Sequence, residues 1–227
     1  MSDSPFRSWS SDEWLILLAR WPQPGVGKSR LAAGIGDEQA YRLEQAFLMD
    51  TIGWASLAPA HLITFTPAGA AAQFRRCAPR AHLRRQAEGD LGVRIHQAFV
   101  DAFSLGARRA VIVGSDSPNL PYAIVDSCRS GLPTADAMIA PTSDGGFCAL
   151  GLTRPAPELF VGVAWSTPDV CAQVMANARA AGLEIRSTEP WYDVDDVLGL
   201  NRLRFDLSLD GEFAPNTSAT LARINRK

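Results

Sequence analysis

Short, uninterrupted apolar runs alternate along this chain with longer segments whose apolar residues recur at helical spacing. Residues 14–19 and 110–114 are the clearest runs, and each is typical of a strand that is buried on both faces. In residues 37–55 and 91–105 the apolar side chains recur with the period of an amphipathic helix. Such alternation is typical of right-handed crossovers and a parallel sheet. The pattern therefore predicts an α/β fold in which helices sandwich a mostly parallel sheet.

The alternation also bears on domain organisation. Further strands are predicted at residues 61–65, 136–140, 147–152 and 183–186, and further helices at 121–131, 167–182 and 197–203. A chain of 227 residues allows one large domain or two small ones, but the alternation is unbroken from residue 15 to residue 203 and favours one. We expect a flexible polar segment over residues 1–12, a single domain over 13–206 and a tail over 207–227. The tail could dock as a helix on its own domain or on a second copy, so a monomer and a homodimer both stay open.

Composition narrows the class of partner. An apolar fraction of 47% and a net charge of −2 are typical of a globular protein and argue against a broad nucleic-acid surface. No apolar run approaches the ~18 residues of a membrane span, and the start of the chain lacks the pattern of a secretory leader. We therefore expect a cytoplasmic protein that binds small molecules. The four cysteines form no C-x-x-C pair, which favours free, buried thiols over a zinc site.

Two glycines and three cations follow the first strand within a short loop: Arg20, Gly25, Gly27, Lys28 and Arg30. The Gly-Lys-Ser at residues 27–29 suggests a P-loop, but a proline stands where that loop has its first glycine. The glycines would still permit a close backbone approach, and cations at the start of a helix favour phosphate groups. We therefore predict a loop that binds a diphosphate or triphosphate. A solvated basic loop is the alternative.

Two carboxylates follow later strands. Asp116 comes directly after the strand at 110–114, where a carboxylate is well placed to hold Mg²⁺ together with substrate phosphates. Its alternative role is that of a turn or helix-cap residue. Asp144 is followed by two glycines that allow a substrate to approach closely, although Asp-Gly-Gly is also an ordinary hairpin turn.

Charged residues also precede two predicted helices. Asp195 and Asp196 stand before the helix at 197–203, and either could cap it or supply a second metal ligand that faces the first carboxylate. Asp90 and Arg94 flank the start of the helix at 91–105, where the aspartate could cap the helix and the arginine could reach a phosphate. Taken together, these motifs predict one cleft with cations on one side and carboxylates on the other.

The combination of these motifs resembles the DUF2064 family, a glycosyltransferase-like group linked by name to arsenosugar biosynthesis. That family falls within the nucleotide-diphospho-sugar transferase superfamily, which has the GT-A, Rossmann-like fold. The resemblance covers roughly residues 15–203. Its carriers are residues 19–20, 24–25, 28–31, 47–51, 86–94, 114–120, 144–146 and 191–196. The segment at 28–31 is also similar to the phosphate-binding loop of nucleotidylyltransferases such as the phospholactate guanylyltransferases.

The resemblance implies a function and a set of roles. Asp116 and Asp195 would hold Mg²⁺ or Mn²⁺, with Asp193 less favoured than Asp195. Arg20, Lys28 and Arg30 would neutralise charge on the leaving phosphate, and Asp144 would act as a general base or orient the acceptor. The implied activity is glycosyl transfer from a nucleotide sugar to a small acceptor. The alternatives are nucleotidyl transfer with release of pyrophosphate, and a nucleotide-binding module without catalysis.

Overall fold

A single sheet of seven strands runs through the computed structural model, which describes residues 5–209 and 213–224. The strands are β1 (Glu13–Arg20), β2 (Ala60–Thr66), β3 (His82–Arg85), β4 (Arg109–Val113), β5 (Ala137–Pro141), β6 (Phe147–Leu152) and β7 (Ile185–Ser187). Their spatial order is β3-β2-β1-β4-β6-β5-β7. Neighbouring strands are parallel except at β6, which runs antiparallel to both β4 and β5. The α/β fold with a mostly parallel sheet is thus confirmed.

Helices cover both faces of this sheet. They are α1 (Ser29–Ile35), α2 (Asp37–Ala55), α3 (Ala71–Cys77), α4 (Leu91–Ser104), α5 (Tyr122–Gly131), α6 (Val170–Ala180), α7 (Val197–Leu209) and α8 (Pro215–Ile224). Helices α2, α3 and α5 pack on one face, and α4 and α6 on the other. Strand β1 supplies both cores, because Leu15 and Leu17 point to the first face while Trp14 and Ile16 point to the second. This two-sided burial is why β1 is a continuous apolar run.

A third apolar cluster joins the two ends of the chain. Leu31 of α1 and Phe47 of α2 pack there with Leu203 of α7 and Leu221 of α8. The expected tail at 207–227 therefore divides between the end of α7 and helix α8, which docks on its own domain; residues 210–212 and 225–227 lie outside the described residues.

Asp50 fixes helix α8 to helix α2. The Asp50 side chain is buried, and its two oxygens accept hydrogen bonds from the backbone N–H groups of Asn216 and Thr217 at 2.9 and 2.8 Å. The side-chain amide of Asn216 and the hydroxyl of Thr217 also donate to it. A carboxylate in α2 thus satisfies the free N–H groups at the start of a helix far along the chain.

The structure differs from the sequence-based expectation in three places. Residues 5–12 are packed rather than free, because Phe6 and Trp9 are buried against the α2–α5 face; residues 1–4 of the expected flexible segment lie outside the described residues. Strand β3 and helix α3 had no counterpart in the prediction. Cys77 is exposed, whereas the other three cysteines are buried and free as expected. Within residues 5–209 and 213–224, no helix is both long and apolar enough to cross a membrane.

Candidate active site

Three segments meet at the carboxyl ends of β1, β4 and β5. The segment after β7 runs past the end of β5, where the Trp191 N–H donates to the Pro141 carbonyl at 2.9 Å. It then reaches the loop after β4, where the Val194 N–H donates to the Asp116 carbonyl at 2.9 Å. This path sets Asp193 beside the loop that carries Asp116. The backbone thus collects acidic residues from distant parts of the sequence at one edge of the sheet.

The loop after β1 delivers a lysine to the same edge. Gly25 and Gly27 adopt φ angles of +72° and +92°, in the left-handed region that favours glycine. A Cβ atom on Gly27 would lie 2.9 Å from a carboxylate oxygen of Glu44, so the loop also runs close to helix α2. Lys28 itself adopts φ 41° just before α1. A non-glycine residue in this conformation is strained, and here it is the residue whose side chain enters the acidic cluster.

The Lys28 ammonium lies between two carboxylates. Its Nζ atom is 2.5 Å from Oδ1 of Asp116 and 3.0 Å from Oδ1 of Asp195, and the side chain is only 5% exposed. Arg30 binds the other oxygen of Asp195 at 2.9 Å from the solvent side. The expectation of cations and carboxylates on opposite sides of a cleft is therefore wrong, because the two signs of charge are in direct contact.

The pKa values of this cluster follow from burial and charge. Burial alone would lower the pKa of Lys28, but the charges of Asp116 and Asp195 outweigh it and raise that pKa. Burial likewise would raise the pKa of Asp195, but Lys28 and Arg30 hold it below its usual value. Lys28 therefore stays an ammonium and Asp195 a carboxylate.

Asp193 is the most deeply buried carboxylate of the group. Burial, reinforced by the charge of Asp116, raises the pKa of Asp193 to about 7. The Ser117 hydroxyl contacts both the Asp193 carboxylate and the Tyr192 carbonyl. Asp196 caps α7 by accepting from the Gly199 N–H at 2.9 Å. The cap and the site thus use different carboxylates of the Asp-Val-Asp-Asp segment.

Asp144 lies in the turn between β5 and β6. Its Oδ1 accepts from the Thr142 hydroxyl at 2.6 Å and from the Gly146 N–H at 3.2 Å. Gly145 has φ +91°, and a Cβ atom there would lie 1.8 Å from the backbone oxygen of Pro168. Asp144 therefore builds the hairpin turn that was the alternative prediction, and it also lines the cavity described next.

A cavity of about 650 Å³ opens beside the cluster. Its lining includes the charged residues Asp116, Asp144, Asp193, Asp195 and Arg30. Its lining also includes the apolar residues Leu18, Leu91, Ile95, Phe147 and Trp165. A volume of this size is typical of a small-molecule site that pairs apolar walls with a few polar groups.

Other predicted site residues lie outside this cavity. Asp90 caps α4, since it accepts from the Val93 N–H at 2.9 Å, so its alternative, structural role is the observed one. Arg94 donates to the Gly89 carbonyl at 3.1 Å and lines a separate cavity of about 510 Å³. Arg20 is exposed at the end of β1 and lines neither cavity.

The carboxylates fit a divalent cation by their chemistry. Mg²⁺ takes oxygen ligands, and it commonly binds one or two carboxylates while substrate phosphates and water complete its shell. Asp116 and Asp195 are such a pair, and in this structure the Lys28 ammonium lies between their carboxylate oxygens. Within residues 5–209 and 213–224, no group of three or more histidine, cysteine or acidic residues could hold a metal ion.

Three residues of the site escaped the sequence analysis. Glu44 lies within the amphipathic pattern of α2, and burial raises its pKa next to Lys28. Ser117 directly follows Asp116 in the sequence, and this adjacency is the signal that could have identified it as a residue of the site. Trp165 lines the cavity and carries a buried Nε1–H without a hydrogen-bond partner among the described residues. Its segment had no pattern that would have indicated a site.

Comparison with known proteins supports the fold and reveals the family. A candidate nucleotide-diphospho-sugar transferase from Desulfovibrio desulfuricans G20 is 30% identical over 96% of each chain, with a TM-score of 0.86. The 4-diphosphocytidyl-2C-methyl-D-erythritol synthase of Anaerococcus prevotii DSM 20548 is 9% identical over 85% of this chain and 99% of its own, with a TM-score of 0.54. The inositol-1-phosphate CTP transferase of T. maritima is 12% identical over 86% of this chain and 94% of its own, with a TM-score of 0.51. The last two similarities concern the fold alone.

The sequence comparison agrees with the first of these structures. No curated protein matches the chain. The model of the family described as "Uncharacterized protein conserved in bacteria (DUF2064)" matches residues 50–167, which is just over half of the 227 residues. The resemblance inferred from the motifs is thereby confirmed, and the chain belongs to the DUF2064 family.

Proposed function

We propose that this protein is a transferase that moves a sugar from a nucleotide-diphosphate donor to a small acceptor. One observation carries the proposal: Lys28 and Arg30 contact Asp116 and Asp195, and the two carboxylates and Arg30 line the 650 Å³ cavity where the parallel strands end. Open α/β sheets bind their ligands at this edge. The similar protein from Desulfovibrio desulfuricans G20, which is named for a nucleotide-diphospho-sugar substrate class, supports the choice of donor.

The charged residues beside the cavity would receive the donor diphosphate. Lys28 and Arg30 would pair with its oxygens and neutralise the charge that develops on the leaving nucleoside diphosphate. Asp116 and Asp195 would hold Mg²⁺ or Mn²⁺, which when bound would polarise the diphosphate as a Lewis acid. These roles require the present ion pairs of the cluster to open as the donor enters.

Asp144 would serve the acceptor. The Thr142 hydroxyl and the Gly146 N–H hold one of its oxygens, so the carboxylate has a fixed orientation at the cavity wall. In the transfer, the acceptor oxygen bonds to the anomeric carbon while the bond from that carbon to the donor phosphate oxygen breaks. Asp144 would take the acceptor's hydroxyl proton, and the nucleoside diphosphate leaves.

Nucleotidyl transfer is the second candidate, and the placement of Lys28 favours it. A buried ammonium directly before a helix is well suited to a triphosphate, whose pyrophosphate leaving group carries more charge. In that reaction the acceptor oxygen bonds to the α-phosphorus and the bond to the β-phosphate oxygen breaks.

A panel of donors separates these functions. The protein is incubated with Mg²⁺, a set of small acceptors and either nucleotide sugars or nucleoside triphosphates, and nucleoside diphosphate and pyrophosphate are measured. Release of nucleoside diphosphate from nucleotide sugars, lost in Asp116→Asn but retained in Asp196→Asn, supports glycosyl transfer. Pyrophosphate release supports the second candidate. Donor binding by calorimetry that is independent of both Mg²⁺ and Asp116 would contradict the proposed site.

A further inference from the structure

Lys28 is unusual among the basic residues of this chain. The sequence has two lysines, of which Lys227 lies outside the described residues, and all other permanently cationic side chains are arginines. An ammonium is a compact point charge, whereas a guanidinium is a broad planar fork. Lys28 thus places the smaller of the two cationic groups in the acidic cluster.

The surroundings of Lys28 fix its position. The residue adopts φ 41° at the start of α1, and its side chain runs inward to lie 5% exposed. Its Nζ atom lies 5.8 Å from the centre of the Phe47 ring and contacts oxygens of both Asp116 and Asp195. Arg30 approaches only the outer oxygen of Asp195 and is 66% exposed. The ammonium therefore holds the shared, inner position, and the guanidinium a peripheral one.

We propose that Lys28 is a placeholder that occupies, in the ligand-free protein, the position between Asp116 and Asp195 that a divalent cation takes once a donor is bound. This inference rests on the proposed function, which assigns these two carboxylates to the metal. An ammonium and a divalent ion cannot share the same two oxygens, because they repel each other strongly at that distance. A donor diphosphate that draws Lys28 away frees the carboxylates. Donor and metal therefore bind cooperatively, and the free protein binds metal weakly.

Binding of Mn²⁺ to the nucleotide-free protein tests this mechanism without turnover. Free Mn²⁺ is measured by electron paramagnetic resonance for the wild type and for Lys28→Met and Arg30→Met. Lys28→Met should bind Mn²⁺ more tightly by on the order of tenfold or more, because it removes the competing cation. Arg30→Met removes the same charge from an exposed position and should change the affinity by no more than about threefold. Unchanged affinity in Lys28→Met, or an equal gain in both variants, would overturn the proposal.

Amine labelling of the wild-type protein provides a second test, which does not depend on the folding of a variant. The Lys28 amine should resist acetylation in the free protein, as followed by mass spectrometry of its peptide. Saturating Mn²⁺ should expose it, with a midpoint equal to that of Mn²⁺ binding. Mn²⁺ binding that leaves Lys28 protected would refute the placeholder role. If both tests succeed while no donor is turned over, the proposed function fails and the placeholder stands.

Discussion

Replacing Asp50 by alanine should destabilise the protein by several kcal/mol, although Asp50 lies outside the cavity. The side chain is 6% exposed and accepts four hydrogen bonds from Asn216 and Thr217 at the start of α8. Alanine removes both acceptor oxygens and leaves those donors in place. The substitution thus tests whether one carboxylate holds α8 on the domain.

The magnitude follows from which donors water can reach. Asn216 is exposed, so its two N–H groups can turn to solvent. Thr217 is completely buried, so its N–H and hydroxyl would each lose a partner without replacement. An unsatisfied buried donor costs about 1–3 kcal/mol, which gives about 2–6 kcal/mol for the pair. Asp50→Asn can keep its one acceptor oxygen on both Thr217 donors, which share Oδ2 in the wild type, and should therefore lose less than Asp50→Ala.

Urea unfolding followed by circular dichroism measures the total loss, and hydrogen exchange of the α8 amides shows whether that helix opens by itself. Glu38→Ala is the matched control, because Glu38 is an exposed carboxylate on the same helix and pairs with the exposed Arg42 one turn away. It should change the free energy of unfolding by less than about 1 kcal/mol. If both the unfolding midpoint and the α8 exchange rates of Asp50→Ala equal those of the wild type, the reasoning is refuted.

Four further predictions concern the site and the core. Asp116→Asn should lower donor turnover by on the order of a hundredfold or more, whereas Asp196→Asn should lower the melting temperature through the α7 cap and leave turnover nearly unchanged. Gly145→Ala should cost more than about 3 kcal/mol in thermal unfolding, because its Cβ would lie 1.8 Å from a backbone oxygen; a milder loss would show that the turn can move. Burial lowers the pKa of His61 below its usual 6.5. The unfolded chain therefore binds more protons than the folded protein at mildly acidic pH, and the free energy of unfolding should rise as the pH increases toward 6.5. That rise, measured by urea unfolding, should flatten in His61→Asn, and an unchanged slope would exclude His61 as its source. An aromatic disulfide reagent should react rapidly with Cys77 in the native protein, because this thiol is exposed. The other three thiols are buried and should react only after denaturation.

The sequence predicts the fold well where burial determines residue type. Strand β1 is apolar throughout because Leu15 and Trp14 face different cores, and a run of this kind is visible without a structure. Strand β3 was missed because His82–Arg85 lies at the edge of the sheet and contains one apolar residue, Leu83. The reversed direction of β6 was missed for another reason. The alternation of strand and helix patterns in the sequence shows the order of the elements, but it does not show the direction in which a strand runs in the sheet. The Asp-Gly-Gly turn was the local signal for that reversal.

The site was only partly predictable, since its contacts depend on backbone path. The sequence singled out Lys28, Asp116 and Asp195 as separate motifs, and the structure places them in one cluster. Their direct bonding depends on the left-handed conformation of Lys28 and on the hydrogen bond that Val194 donates to the β4 loop. Neither feature has a signature in residue type or spacing. The same holds for Glu44, whose position opposite the loop follows from how α2 packs.

The third apolar cluster imposes an order on how the protein can be made. Leu31 and Phe47 leave the ribosome more than 150 residues before Leu203 and Leu221, which pack against them. The segment that carries Asp193 and Asp195 also emerges late, so Lys28 spends most of translation without the carboxylate of Asp195. The nascent chain can pair β1, β2 and β4 before that point. The charged cluster can therefore assemble only after residue 195 has been made, and a chain stalled before residue 193 has the sequence of all seven strands but lacks this cluster.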